Sequence, residues 1–217
     1  MTCFYRIIFS FGMALVLSFM PLVAQAKAAT HTNEFMSAIE FFNLGVEETQ
    51  REKYEQSLED FTQAIDRDNT FAAAYSNRCF VDLKLGNYTK AAEDCTAALQ
   101  LNPHNIEAYL NRGLAYYRMG NHPEAIAEYS QIIERQPDEF RAYYNRGLAR
   151  FELKDYEGAI ADYNQALSKR DELSDAERVD IYNERGLAQM MLENQEDAIA
   201  DFSLAINLDD SNHRAFY

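Results

Sequence analysis

Small and aromatic residues return along this chain in a fixed register. The stretch Tyr109-x-Asn111-Arg112-Gly113-Leu114-Ala115 recurs 34 residues on as Tyr143-x-Asn145-Arg146-Gly147-Leu148-Ala149, and Arg185-Gly186-Leu187-Ala188 follows 39 residues later. Counting backward by 34 reaches Tyr75-Ser76-Asn77-Arg78-Cys79 and then Phe41-Phe42-Asn43-Leu44-Gly45. A period of this size marks a stacked array, in which each unit packs only on its neighbours.

Five units start at Ala38, Ala72, Ile106, Phe140 and Val179. Place 4 holds Phe41, Tyr75, Tyr109, Tyr143 and Tyr182, and place 8 holds Gly45, Cys79, Gly113, Gly147 and Gly186. Place 20 is Ser57, Ala91, Ala125, Ala159 and Ala198, and place 24 is Phe61, Cys95, Tyr129, Tyr163 and Phe202. Ala64, Ala98, Ile132, Ala166 and Ala205 occupy place 27, while Pro103 and Pro137 stand at place 32. Places 4 and 8 trace a stripe on one helix; places 20, 24 and 27 trace a stripe on a second. Small residues at 8 and 20 let the two helices approach, and aromatics at 4 and 24 fill the space between them. Turn segments such as Leu85-Gly86-Asn87-Tyr88 and Met119-Gly120-Asn121-His122-Pro123 separate the stripes, with glycine supplying the left-handed residue that ends a helix. The pattern predicts helical hairpins that bury their faces by stacking.

With Tyr or Phe at 4, Gly at 8, Ala at 20, Phe or Tyr at 24, Ala at 27 and Pro at 32, the chain resembles the tetratricopeptide repeat over residues 38–211. The resemblance implies an all-α, right-handed superhelical array of helix-turn-helix hairpins, an α-solenoid. Its units are residues 38–71, 72–105, 106–139, 140–178 and 179–212, the fourth carrying a five-residue extension. Within that extension Ser174 and Glu177 read as a capping box that opens the next helix. Residues 213–217 mirror Phe140–Tyr144 and begin a truncated sixth unit. A terminal hairpin without a polar cap invites self-association or a partner.

Before the repeats, residues 7–23 are mostly apolar and Ala24-Gln25-Ala26 is a small-x-small sequence, so residues 1–26 read as a signal peptide cleaved near Ala26, with 27–37 a linker. The alternative is a membrane anchor formed by residues 7–23. Cys3 lies too early for a lipoprotein cysteine. The expected location is periplasmic or otherwise extracytoplasmic. Twenty Lys and Arg against 35 Asp and Glu give a net charge of −15, which argues against nucleic acid as a partner.

An arginine occupies place 7 in units two to five (Arg78, Arg112, Arg146, Arg185), where unit one has Leu44. An acid occupies place 23 in all five: Asp60, Asp94, Glu128, Asp162 and Asp201. Because unit one lacks both the arginine and a preceding hairpin, each arginine is expected to pair with the acid of the unit before it. Cys79 and Cys95 face each other across one hairpin, where a disulfide and a pair of small core residues both fit.

The inner face of each first helix carries places 2, 5, 6, 9, 12 and 13. It brings forward Asn77, Asn111 and Asn145 at place 6, with Phe80, Leu114, Tyr117, Tyr144, Leu148 and Phe151 around them. Asparagine offers a donor and an acceptor to the main chain of a peptide, and the apolar neighbours offer area to its side chains. These nine are the candidate peptide-binding groove; the competing reading makes them inter-hairpin core and helix braces. The tetratricopeptide proteins that grip acidic chaperone tails imply a lysine- and asparagine-based carboxylate clamp. Phe42, Val46, Glu107 and Asn111, or Ser76, Phe80, Arg141 and Asn145 one unit on, do not reproduce it, so no chaperone-tail clamp is expected. His31, His104, His122 and His213 are dispersed without metal spacing, and no catalytic motif or cofactor loop is present, so neither catalytic residue, cofactor nor metal is assigned. The reading is a non-catalytic adaptor or assembly factor that binds a client protein, with a self-assembling array as the alternative.

Overall fold

The computed structural model describes residues 36–169 and 173–208. The expected signal peptide, most of the linker, part of the extension and the truncated sixth unit lie outside them. The described residues form ten α-helices in five hairpins. These are α1 (Ala38–Gln50) with α2 (Tyr54–Arg67), α3 (Ala72–Lys84) with α4 (Tyr88–Leu101), and α5 (Ile106–Arg118) with α6 (His122–Arg135). Then come α7 (Phe140–Glu152) with α8 (Tyr156–Ser168), and α9 (Asp175–Met191) with α10 (Gln195–Leu208). Each helix packs on the next along the chain. The architecture is an all-α solenoid.

Place 8 and place 24 close each hairpin. A Cβ built on Gly45, Gly113, Gly147 or Gly186 would come within 2.5–2.7 Å of the ring of Phe61, Tyr129, Tyr163 or Phe202. Only glycine admits that approach, and the fully buried rings of Phe61, Tyr129 and Tyr163 fill the seam. Burying each contributes roughly 1.5–3 kcal/mol. Hairpin two solves the same position covalently: Cys79 and Cys95 form a disulfide with Cα atoms 5.4 Å apart. Between hairpins the fit relies on alanine. Ala108 and Ala115 of α5 are fully buried in one cluster with Ala91, Ala98 and Leu99 of α4, and Ala142 and Ala149 of α7 pack likewise on Ala125 and Ile132 of α6.

The turns inside the hairpins share one left-handed residue, at place 15. Gly86 and Gly120 supply it at φ of 78° and 79°, but Glu52, Lys154 and Glu193 adopt it too, at φ of 58–63°. Glycine is therefore preferred there without being required. Ser37 and Glu40 form a capping box before α1, and Ser174 and Glu177 form the one read in the sequence. Because α9 starts at Asp175, ahead of the place that opens the other first helices, it has 17 residues where α7 has 13. Part of the extension is thus spent as an extra helical turn.

Candidate functional site

The arginines at place 7 reach a different partner from the one expected. Arg78 donates from Nε and Nη2 to Asp94 at 2.6 and 2.8 Å, and Arg146 does the same to Asp162 at 2.9 and 2.7 Å. Arg112 pairs with Glu128, and Arg185 with Asp201. Each acid belongs to the arginine's own unit, 16 residues ahead, so the pairs lock hairpins rather than join them. The contact to the preceding unit is a side-chain oxygen at place 25: Arg78 donates to Thr62 Oγ1, Arg112 to Thr96 Oγ1 and Arg146 to Ser130 Oγ at 3.0–3.1 Å, and Arg185 donates to Asn164. The same guanidinium groups lie 5.5–5.8 Å above the place-4 rings of Tyr75, Tyr109, Tyr143 and Tyr182, within cation–π range. Unit one, with Leu44 in place of arginine, gives Asp60 no cation among the described residues. Burial, then the charges of Glu59 and Glu48, hold its carboxyl above the ordinary 3.8.

On the opposite face of the first helices, all nine candidate groove residues are half-buried. Five of them meet in one depression of about 330 Å³, where Phe80, Asn111, Leu114, Tyr144 and Asn145 are joined by Glu107, Arg141, Glu177, Asp180 and Ile181. A second depression of about 320 Å³ adjoins it through Phe80, Glu107 and Asn111 and adds Asn77 and Ser76. The groove so formed crosses α3, α5, α7 and the start of α9. Leu148 and Phe151 line neither depression and pack against the cluster around Tyr163, as Tyr144 also does from the depression, while Tyr117 packs against the cluster around Tyr129. For Leu148, Phe151 and Tyr117 the core reading holds as well as the groove reading.

The amides differ in place. Asn77 donates to its own helix at Ala73 O, 2.8 Å away, whereas Asn111 and Asn145 line the wall of the larger depression. Asn183, at place 5 of unit five, is only 2% exposed, and neither of its amide atoms has a hydrogen-bond partner.

Arg141 and Glu107 were not singled out as groove residues by sequence, though they occupy place 2 of successive units. Arg141 is engaged on both sides. Its Nε and Nη2 donate to the two carboxylate oxygens of Glu139, each at 2.8 Å, and its Nη1 and Nη2 to Glu107 at 3.2 and 2.7 Å. These two carboxylates raise its pKa further, against the effect of burial, and the Glu139 carboxyl is lowered in return. Near the far end of the groove Tyr117 stays protonated: burial, then Glu152 and Glu184, push its phenol up. Among the described residues no group of His, Cys, Asp and Glu is arranged to hold a metal ion, and no helix is long and apolar enough to cross a membrane.

A stack of five interlocked helical hairpins with a furrow along its first helices defines the class of α-solenoid repeat scaffolds. A tetratricopeptide repeat model matches residues 110–176, and a TPR repeat model matches residues 81–120. The chain is a tetratricopeptide-repeat protein. Solved structures agree on the fold. One is MamA, residues 41 to the end, from Desulfovibrio magneticus RS-1, which is 18% identical with a TM-score of 0.72 over 81% of this chain and 97% of that one. Another is YrrB, described as a TPR protein with an unusual peptide-binding site, at 18% identity and a TM-score of 0.68 over 88% and 95% of the two chains. The first TPR of Spaghetti (RPAP3), bound to the HSP90 peptide SRMEEVD, is 25% identical with a TM-score of 0.53 over 54% of this chain and 93% of that one. A search of the curated proteins found no match.

Proposed function

We propose that this protein is a non-catalytic scaffold that holds an extended segment or a helix of a client protein along the first-helix groove. The observation that carries the reading is the merging of the two depressions, which sets the half-buried rings and aliphatic chains of Phe80, Leu114 and Tyr144 beside the amides of Asn111 and Asn145. An apolar floor gives area for side chains, and amides fix a main chain in register. YrrB and Spaghetti, whose descriptions name peptide binding, support a protein partner by likeness of fold. The leader-like residues 1–26 support an extracytoplasmic setting for the work, with an anchor at residues 7–23 as the alternative.

The test is affinity capture from an envelope extract of the host, with the native protein beside an Asn111→Ala/Tyr144→Ala variant. A specific client retained by the native protein and lost by the variant, at unchanged helical content, is the expected result. Equal retention by both removes the groove assignment.

A second reading, self-association through the last hairpin, is favoured by one observation. Leu187, Met190, Met191, Ile199 and Leu204, all on α9 and α10, are 42–65% exposed, and exposed apolar side chains grouped on one hairpin are candidates for an interface. Concentration-dependent size that disappears in an Ile199→Lys/Leu204→Lys variant would support it. Phe202 is unsuited to this test, because its ring lies beneath Gly186 and holds the hairpin together.

A further inference from the structure

We infer that the client segment seated in this groove is cationic: an apolar side chain flanked by lysine or arginine. The inference rests on the groove reading above and adds the chemistry of the occupant. The floor of the larger depression is Phe80, Leu110, Leu114, Tyr144 and Ile181, which accepts an apolar side chain. Its charged wall is Glu107, Glu177 and Asp180, with Arg141 the one cation among the described lining residues.

Arg141 does not offer itself to an incoming carboxylate. Glu139 and Glu107 between them take four bonds from its Nε, Nη1 and Nη2. An acidic ligand would have to displace one of these glutamates and leave it unpaired against the walls. Among the described residues Glu177 accepts from the backbone N–H and hydroxyl of Ser174, which are neutral donors. The whole chain carries −15. A basic segment therefore gains at every step of approach, whereas an acidic one meets repulsion and a preoccupied arginine. The Phe80 ring already carries Lys84 Nζ, 5.2 Å from its centroid, so the acidic character of the groove lies toward Glu107, Glu177 and Asp180.

The experiment measures binding of two short fluorescein-labelled peptides to the purified protein, one alternating leucine and lysine, the other leucine and glutamate. The leucine–lysine peptide is expected to bind at least about ten-fold more tightly, with an affinity that falls as salt rises. A Glu107→Gln/Glu177→Gln/Asp180→Asn variant should lose about ten-fold for that peptide. A matched variant, Glu193→Gln/Glu196→Gln/Asp197→Asn, removes the same charge from the start of α10 and the turn before it and should change affinity by no more than about two-fold. Equal losses in the two variants would mean attraction to net charge alone and would overturn the proposal, as would absence of binding by the leucine–lysine peptide. If the leucine–glutamate peptide binds better and the Asn111→Ala/Tyr144→Ala variant abolishes it, the charge assignment falls while the groove stands. If that variant leaves both peptides bound, the groove itself falls.

Discussion

Hairpins two and four hold the same shape by different means. In hairpin four, Tyr163 lies against Gly147, and the buried Asp162 receives both Arg146 and Arg150. In hairpin two the glycine and the ring are replaced together by the Cys79–Cys95 disulfide. The second cation is also replaced: at the place of Arg150 stands Asp82, a buried carboxyl near Asp94. One hairpin is thus closed by packing and doubled charge pairing, the other by a covalent bond set against an extra anion. The first-helix faces of both still line the same groove. The seam between the helices can change its chemistry without moving the surface it supports.

Breaking each seam should expose the difference. Replacing both cysteines, Cys79→Ala/Cys95→Ala, is expected to lower unfolding stability by about 3 kcal/mol, the value for a cross-link closing a loop of this length, and urea denaturation would measure it. A Cys79→Gly/Cys95→Tyr exchange installs the lock of the other hairpins and should recover much of that loss. Its stability should also be insensitive to reductant, unlike that of the native protein. No recovery would mean that place 8 and place 24 are not interchangeable between units.

In hairpin four, Asp162→Asn removes the charge shared by two guanidinium groups and should cost about 2–3 kcal/mol. The same denaturation series would show it, and a loss below that of Asp94→Asn would contradict the doubled pairing.

The smallest effect is expected at Asp82. Burial, then the charge of Asp94, raises its carboxyl above 3.8 against the hydrogen bond from Asn87. A carboxyl raised in the folded state opposes folding at neutral pH, and the penalty fades as the pH falls through the raised value. Asp82→Asn should therefore stabilise by at most about 1 kcal/mol at neutral pH and by nothing near pH 3.8 or below. Thermal unfolding at the two pH values checks the sign.

The hairpins were legible in the sequence because glycine and aromatics recur wherever two helices touch, and sterics leave few residues that fit there. The partner of the arginines was misread, although a signal was present. Place 8 faces place 24 in every hairpin, an offset of 16 residues, and Arg78 to Asp94 has the same offset. The absence of an arginine from unit one suggested an inter-unit pair, but its consequence is an Asp60 with no cation partner among the described residues. The inter-unit contact runs to Thr62, Thr96, Ser130 and Asn164, polar residues at place 25 whose role no hydrophobic pattern reveals. In the groove, periodicity placed Asn111, Asn145 and Tyr144 on one face. It could not show that Arg141 would be held by Glu139 and Glu107, because that depends on how one hairpin sits on the next.

The central claim, that the first-helix face and not the second-helix face receives the client, is tested most directly by site-specific photo-crosslinking in the host. A photoreactive phenylalanine analogue would replace Tyr144 or Leu114 in the groove, or Gln131 or Gln165 on the exposed side of α6 and α8. The account predicts one client band from the groove positions and none from the second-helix positions. Crosslinks from Gln131 and Gln165 alone would contradict it.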